Sequence, residues 1–150
     1  MKNTIRELNL ELGYPSVDQA LRWLSAELEA ARKMNTPLIK LIHGYGSSGK
    51  GGRIRTASRR HLEEAAAQGH ITAYLPGERF SIFDETARRA MQAYPQLRLD
   101  RDLDRENQGV TFIFFPQILT SPLRTQKARP PANAGGLACM VFSVLLTAHP

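Results

Sequence analysis

One stretch narrows the possible folds more than any other: Leu38-Ile39-Lys40-Leu41-Ile42-His43-Gly44-Tyr45-Gly46-Ser47-Ser48-Gly49-Lys50-Gly51-Gly52-Arg53. An apolar run interrupted only by Lys40 reads as a strand, and a loop with five glycines follows it. A helix is then predicted from about Arg53 to Gln68, with Ile54, Ala57, His61/Leu62 and Ala65 on its inner face and Gly69 as its stop. Strand, tight loop and helix in that order also make an anion site. Glycines let backbone N–H groups converge on an anion without side-chain obstruction, and a helix N-terminus adds free donors and a favourable dipole. Lys50, Arg53 and Arg55 supply mobile positive charge. A glycine-rich loop alone would read as a flexible surface segment. The strand before it, the helix after it and the absence of acids from Lys50 to Arg60 favour phosphate binding.

The rest of the chain supplies partners for this unit. Leu8, Leu10 and Leu12 alternate with Asn9 and Glu11, as in a short strand. Ser16 with Gln19 is a capping-box pattern opening a helix to about Asn35, whose stripe is Val17, Leu21, Leu24, Leu28 and Ala31. Ile71 to Leu75 reads as extended and Pro76-Gly77 as a turn. Asp84 caps a third helix with Ala87, Met91 and Tyr94, halted by Pro95. Leu97 to Leu99 reads as a short extended stretch before the polar loop Asp100 to Gly109. Val110 to Phe115, dense in β-branched and aromatic residues, is the clearest strand. Strands separated by helices predict a two-layer α/β sandwich, its sheet mixed or mostly parallel, with helices packed on it. Trp23, Phe112 and Phe114 read as core, and the Arg88-Arg89, Arg101-Asp102 and Asp104-Arg105 runs as surface charge.

The domain is expected over residues 1–116. Residues 117–150 read as a basic, Pro/Gly-rich linker followed by the apolar segment Leu137 to Leu146, too short to span a bilayer. The single Cys139 allows no intrachain disulfide or cysteine zinc cluster, and the polar N-terminus is no secretory signal, so a cytoplasmic protein without membrane partners is expected. The net charge of +6 is concentrated in Lys50, Arg53, Arg55, Arg59 and Arg60 and in the tail. The first 35 residues balance five basic against five acidic groups. Gly44 to Lys50 fits most of a nucleotide P-loop, but Gly51 stands where a magnesium-binding Ser or Thr is required, which argues against ATP or GTP hydrolysis. Asp100, Asp102, Asp104 and Glu106 lack the glycine and the closing acid of a calcium loop.

Leu41-Ile42-His43-Gly44-Tyr45-Gly46 resembles the apolar strand and His-Gly-x-Gly element of the Smr (small MutS-related) domain. Val17-Asp18-Gln19-Ala20-Leu21 is similar to that family's first helix, and Tyr94-Pro95 through Gly109-Val110-Thr111-Phe112 to its closing turn, loop and strand. The resemblance covers about residues 8 to 115. It implies an Smr-like α/β fold and binding to DNA or RNA. In many Smr domains an acid and a histidine on the first strand are associated with nuclease activity. Leu8-Asn9-Leu10-Glu11-Leu12-Gly13 replaces both, and Ile71 to Met91 looks inserted. The resemblance therefore carries the fold and the loop further than the catalysis. If the protein is an enzyme, it is expected to be a nicking endonuclease of DNA or RNA. No cofactor or metal is expected, a divalent cation entering only with nuclease activity.

The residues assigned to nucleic-acid binding are His43, Gly44, Tyr45, Gly46, Gly49, Lys50, Gly51, Gly52, Arg53, Arg55 and Arg60. Arg53 and Arg60, seven residues apart, should share a face. The candidate catalytic groups are His43, as an imidazole near a bound phosphate, and Glu11, in place of the missing acid. His43 equally suits a structural role fixing the loop, and Tyr45 either stacks on a base or packs on the sheet edge. Two other functions use the same features: a nucleotide or phosphometabolite site in the loop, or a protein-interaction adaptor on which the loop is merely basic.

Overall fold

The structure, a computed structural model, describes residues 5–45 and 51–117. The readings of Gly46, Gly49 and Lys50, and of the tail with its apolar segment 137–146, lie outside the described residues. Strands β1 (Arg6–Asn9), β2 (Leu38–Ile42), β3 (Ala73–Pro76) and β4 (Val110–Phe114) form one sheet of order β1-β2-β4-β3. β1 runs parallel to β2, while β4 is antiparallel to both β2 and β3. β1, β2 and β3 therefore all point the same way, and their carboxyl ends meet on one edge beside the start of β4. The expected mixed α/β architecture is present.

Helix α1 (Val17–Lys33) starts where the sequence says it should. Ser16 accepts from the Gln19 amide at 3.2 Å, and the Gln19 side chain accepts from the Ser16 amide at 3.1 Å. α1 and α2 (Gly51–Ala67) join β1 to β2 and β2 to β3, and pack on one face of the sheet. That core holds Leu24, Leu28, Ile39, Leu41, Leu62 and Ile113. The opposite face is closed by a 3-10 turn (Gly77–Arg79), helix α3 (Glu85–Ala93) and a second 3-10 turn (Pro95–Leu99), over Leu75, Phe80, Met91, Phe112 and Phe114. Asp84 caps α3, accepting from the Ala87 amide at 3.0 Å.

Several local readings are corrected. β1 ends at Asn9 because the Asn9 side chain takes the Glu11 amide at 2.8 Å, turning the chain out of the ladder and leaving Leu12 exposed. Leu97–Leu99 is helical, since Pro95 presets the first residue of the 3-10 turn and Tyr94 O accepts from the Leu97 amide at 3.0 Å. Trp23 is 44% exposed: it lies one position, about 100° of helix, away from the buried stripe Ala20, Leu24, Leu28 and Ala31. On α2 the buried positions are Ile54, Ser58, Leu62 and Ala65, which turns Ala57 and His61 toward α1. Asp102 is a buried ion-pair partner of Lys40 and no surface charge.

Lys40 is the one charge inside β2, fully buried on the α3 face of the sheet. Its ammonium donates to both oxygens of Asp100, at 2.9 and 3.0 Å, and pairs with Asp102. Burial alone would raise the Asp102 carboxyl. The Asn107 and Lys40 hydrogen bonds outweigh it and hold that carboxyl below the usual carboxylate range. The polar loop 100–109 is thus tied to the middle of the sheet. It is also tied to the exit of β3, where a Cβ at Gly77 would stand 2.2 Å from Asn107 O and 2.5 Å from a Val110 methyl.

Candidate functional site

The carboxyl ends of parallel strands are where open α/β sheets place their ligands. Here that edge gathers Glu11 after β1, His43, Gly44 and Tyr45 after β2, Glu78 after β3 and Gly109 before β4. The chain leaves β2 through a tight crossing: the amides of His43 and Gly44 both donate to Gly109 O at 3.0 Å. Gly44 has φ +71°, a left-handed conformation that disfavours a side chain. The Glu11 side chain lies over it, its carboxylate 2.1 Å from where a Cβ would stand.

His43 is fully buried beneath this crossing. Its Nδ1–H donates to Gly44 O at 2.8 Å, which leaves Nε2 as acceptor for the Thr111 hydroxyl, also at 2.8 Å. Thr111 Oγ1 accepts in turn from Arg59 Nε at 3.4 Å, and the Arg59 guanidinium grips both oxygens of Glu78 at 2.7 Å. Each donor faces an acceptor along the whole chain from Glu78 to the Gly44 carbonyl. Burial pushes the His43 pKa down to about 4. The Gly44 carbonyl works the other way, and the nearby charges of Arg59 and Arg55 lower it further. The ring is neutral at pH 7, with both nitrogens spent inside the protein. For Glu78 burial favours the acid, but Arg59 prevails and holds the carboxyl below its ordinary value.

This donor set does not fit a divalent cation. His43 offers no free nitrogen, Glu78 is held by Arg59, and Glu11 remains as a single carboxylate. Among the described residues no three His, Cys, Asp or Glu side chains gather in a metal-binding group. None of their helices is long and apolar enough to cross a membrane.

The basic residues of α2 divide by face. Arg53 and Arg60 do share one, lining an open groove of about 770 Å³ against α1 with Leu21, Gly52, Thr56 and His61. Among the described residues Glu64 is its one acidic group, 3.6 Å from Arg60 in an exposed pair. His61, in the lining of this groove, shares a 3.0 Å hydrogen bond with Ser25 of α1. Arg55, by contrast, points across to the 100–109 loop and donates to Gln108 Oε1 at 2.9 Å. Arg59 and Thr111, absent from the sequence-based set, belong to the site's interior. Their only signal was position: Arg59 lies four residues after Arg55, and Thr111 is the polar residue at the start of an apolar strand.

A second open groove, of about 630 Å³, lies between Tyr45 and the 101–108 loop. Tyr45 is 62% exposed, and its ring rests against Gly109, where a Cβ would come within 3.2 Å of it. Of the residues assigned from sequence, the structure brings His43, Gly44, Tyr45 and Glu11 together at one crossing and places Gly52, Arg53 and Arg60 along the first groove. No family model, curated protein or solved structure matches this chain.

Proposed function

We propose that this is a nucleic-acid-binding domain, Smr-like in kind, that contacts the phosphate backbone of DNA or RNA at the amino end of α2. The observation that carries the reading is the groove between α1 and α2. It begins at Gly52 in the first turn of α2 and runs past Arg53, Thr56, Arg60 and His61. No acidic residue stands in that first turn. Free backbone amides and the helix dipole favour an anion there, and two arginines two turns apart suit successive phosphates of a polymer better than one small anion. In the sequence, glycines and Lys50 immediately precede this end of the helix, residue types suited to meeting a phosphate. The elements carrying the Smr resemblance support the reading: β2 runs into His43-Gly44, α1 starts at Val17, and β4 starts at Val110.

In this reading His43 is a positioning residue. It holds the Gly44 carbonyl and so the direction in which the loop leaves the sheet. A neutral, internally bonded imidazole is a poor proton shuttle, and weak or no nicking by the purified protein is the expected result.

The test is a salt titration of binding to unrelated sequences. Arg53→Ala and Arg60→Ala should each weaken binding by similar factors and reduce the magnitude of the log–log salt slope by about one unit on duplex DNA. The Arg88→Glu/Arg89→Glu variant on α3 serves as the charge control and should matter less. Equal losses from control and groove variants would reduce the interaction to diffuse positive charge. Weak salt dependence with competition by a small phosphorylated metabolite would favour the metabolite site instead.

A further inference from the structure

We infer that the second groove, between Tyr45 and the 101–108 loop, is a subsite for one unpaired nucleobase, so that the polymer bound is single-stranded at that point. The inference rests on the phosphate-binding reading of the α2 end and adds what lies beside it. The two grooves differ in charge. The α1–α2 groove is cationic, as a phosphate track must be. The second sets Arg101 and Arg105 against Asp102 and Glu106, two charges of each sign, while the charge of the buried Lys40 is matched by Asp100. Carboxylates in the lining repel a phosphate, whereas a neutral ring with mixed donors and acceptors meets complementary groups there.

An exposed aromatic ring forms one wall. Tyr45 follows directly on the His43-Gly44 crossing, so a base stacked on it hangs from a backbone passing the α2 amino end. The opposite wall is held in place from below. Asn107 is committed on both sides, accepting from the Gly109 amide at 2.9 Å and donating to Asp102 at 2.9 Å. Arg55 fixes the Gln108 amide by its oxygen, which leaves Nε2 as a donor for a base carbonyl or ring nitrogen. The Glu106 carboxylate is an acceptor for an exocyclic amino group. Arg101 and Arg105 can stack on a base or meet its flanking phosphate. A base inside a duplex presents neither a free face nor a free Watson–Crick edge, so this wall chemistry selects unpaired nucleotides.

The experiment compares fluorescently labelled 12-mer single strands, of RNA and of DNA, with the duplex of the same length at fixed salt. Single strands should bind more tightly. Tyr45→Ala should weaken single-strand binding by about 5- to 150-fold, the range for loss of one base–aromatic stack. Duplex binding and the salt slope should stay unchanged, and Tyr45→Trp should restore the affinity. A 2-aminopurine in the single strand should be quenched on binding to the wild type and to Tyr45→Trp, and not to Tyr45→Ala. RNA and DNA strands behaving alike assigns recognition to the base, while a difference adds the 2′-hydroxyl to the same subsite. Equal losses for single strand and duplex, or no loss, would overturn the subsite while leaving the effect of Arg53→Ala and Arg60→Ala on the slope intact. No binding of any polymer would remove both readings.

Discussion

Positive charge is used in two ways in this molecule, on opposite sides of the same helix. On the outer side of α2, Arg53 and Arg60 line an open groove, and among the described residues only the exposed Glu64 answers them. On the inner side, Arg59 is committed to Glu78 and Thr111, Arg55 to Gln108, and beyond them Lys40 is locked between Asp100 and Asp102. The first set is free to meet a ligand. The second builds the wall and the crossing that the ligand would meet. A count of basic residues cannot separate the two, because a guanidinium with a bidentate carboxylate partner has little left to offer an incoming phosphate.

The largest effect is expected at Lys40. Lys40→Ala leaves two nearly buried aspartates without their counter-ion and should cost about 3–5 kcal/mol of stability in urea unfolding. Lys40→Ala with Asp102→Asn should recover part of that loss, and no recovery would mean that the pair is incidental to the loop's anchoring. A second large effect belongs to pH. The His43 pKa is about 4 in the folded protein against 6.5 unfolded, so between those values the unfolded chain binds the extra proton. The contribution is therefore complete above pH 6.5 and lost as pH falls toward 4, about 3 kcal/mol in all. Unfolding free energies from pH 7.5 to 4.5 should slope upward with pH in the wild type and flatten in His43→Gln. Below that window the depressed Asp102 carboxyl adds a further loss as it protonates.

Smaller effects sharpen the contrast between the sides of α2. Arg59→Ala strands a half-buried Glu78 and should cost about 1–2 kcal/mol, less than a fully buried pair because water still reaches both groups. Arg53→Ala and Arg60→Ala should change stability by no more than about 0.5 kcal/mol, as exposed substitutions do. Their effect should fall on polymer binding and its salt slope, which is the reverse of the Arg59 pattern. An Arg53→Ala variant that unfolds as easily as Arg59→Ala would erase the distinction.

The elements of the fold were legible where a local rule was strong. The Ser16/Gln19 box, Asp84 cap, Val110–Phe114 strand and Leu38–Ile42 run all reappear in the structure within a residue or so. Local rules failed where a side chain overrode the pattern: Asn9 ended a strand whose apolar alternation continued to Leu12, and Pro95 turned an extended reading into a 3-10 turn. The site was legible in the same measure. His43, Gly44 and Tyr45 were read from their place after the strand, and the shared face of Arg53 and Arg60 from helical periodicity. Arg59, Glu78 and Thr111 were not, because they come from α2, the exit of β3 and the start of β4, which no spacing rule connects.

The amino-acid sequence alone gave the strongest local units: the runs Leu38–Ile42 and Val110–Phe114 as strands, the residues that cap α1 and α3, and a glycine-rich segment leading into an acid-free basic helix. Those properties depend on neighbours within a few positions, through backbone sterics, capping bonds and side-chain periodicity. Tertiary structure alone decided which charges are spent. Lys40 meets Asp100 across 60 positions and Arg59 meets Thr111 across 52, because inserting β4 antiparallel between β2 and β3 brings three distant segments to one edge. Burial there removes water as a competing partner, so each polar group must find its complement in the protein, and the arginines left on the outer face of α2 are the ones the fold does not need.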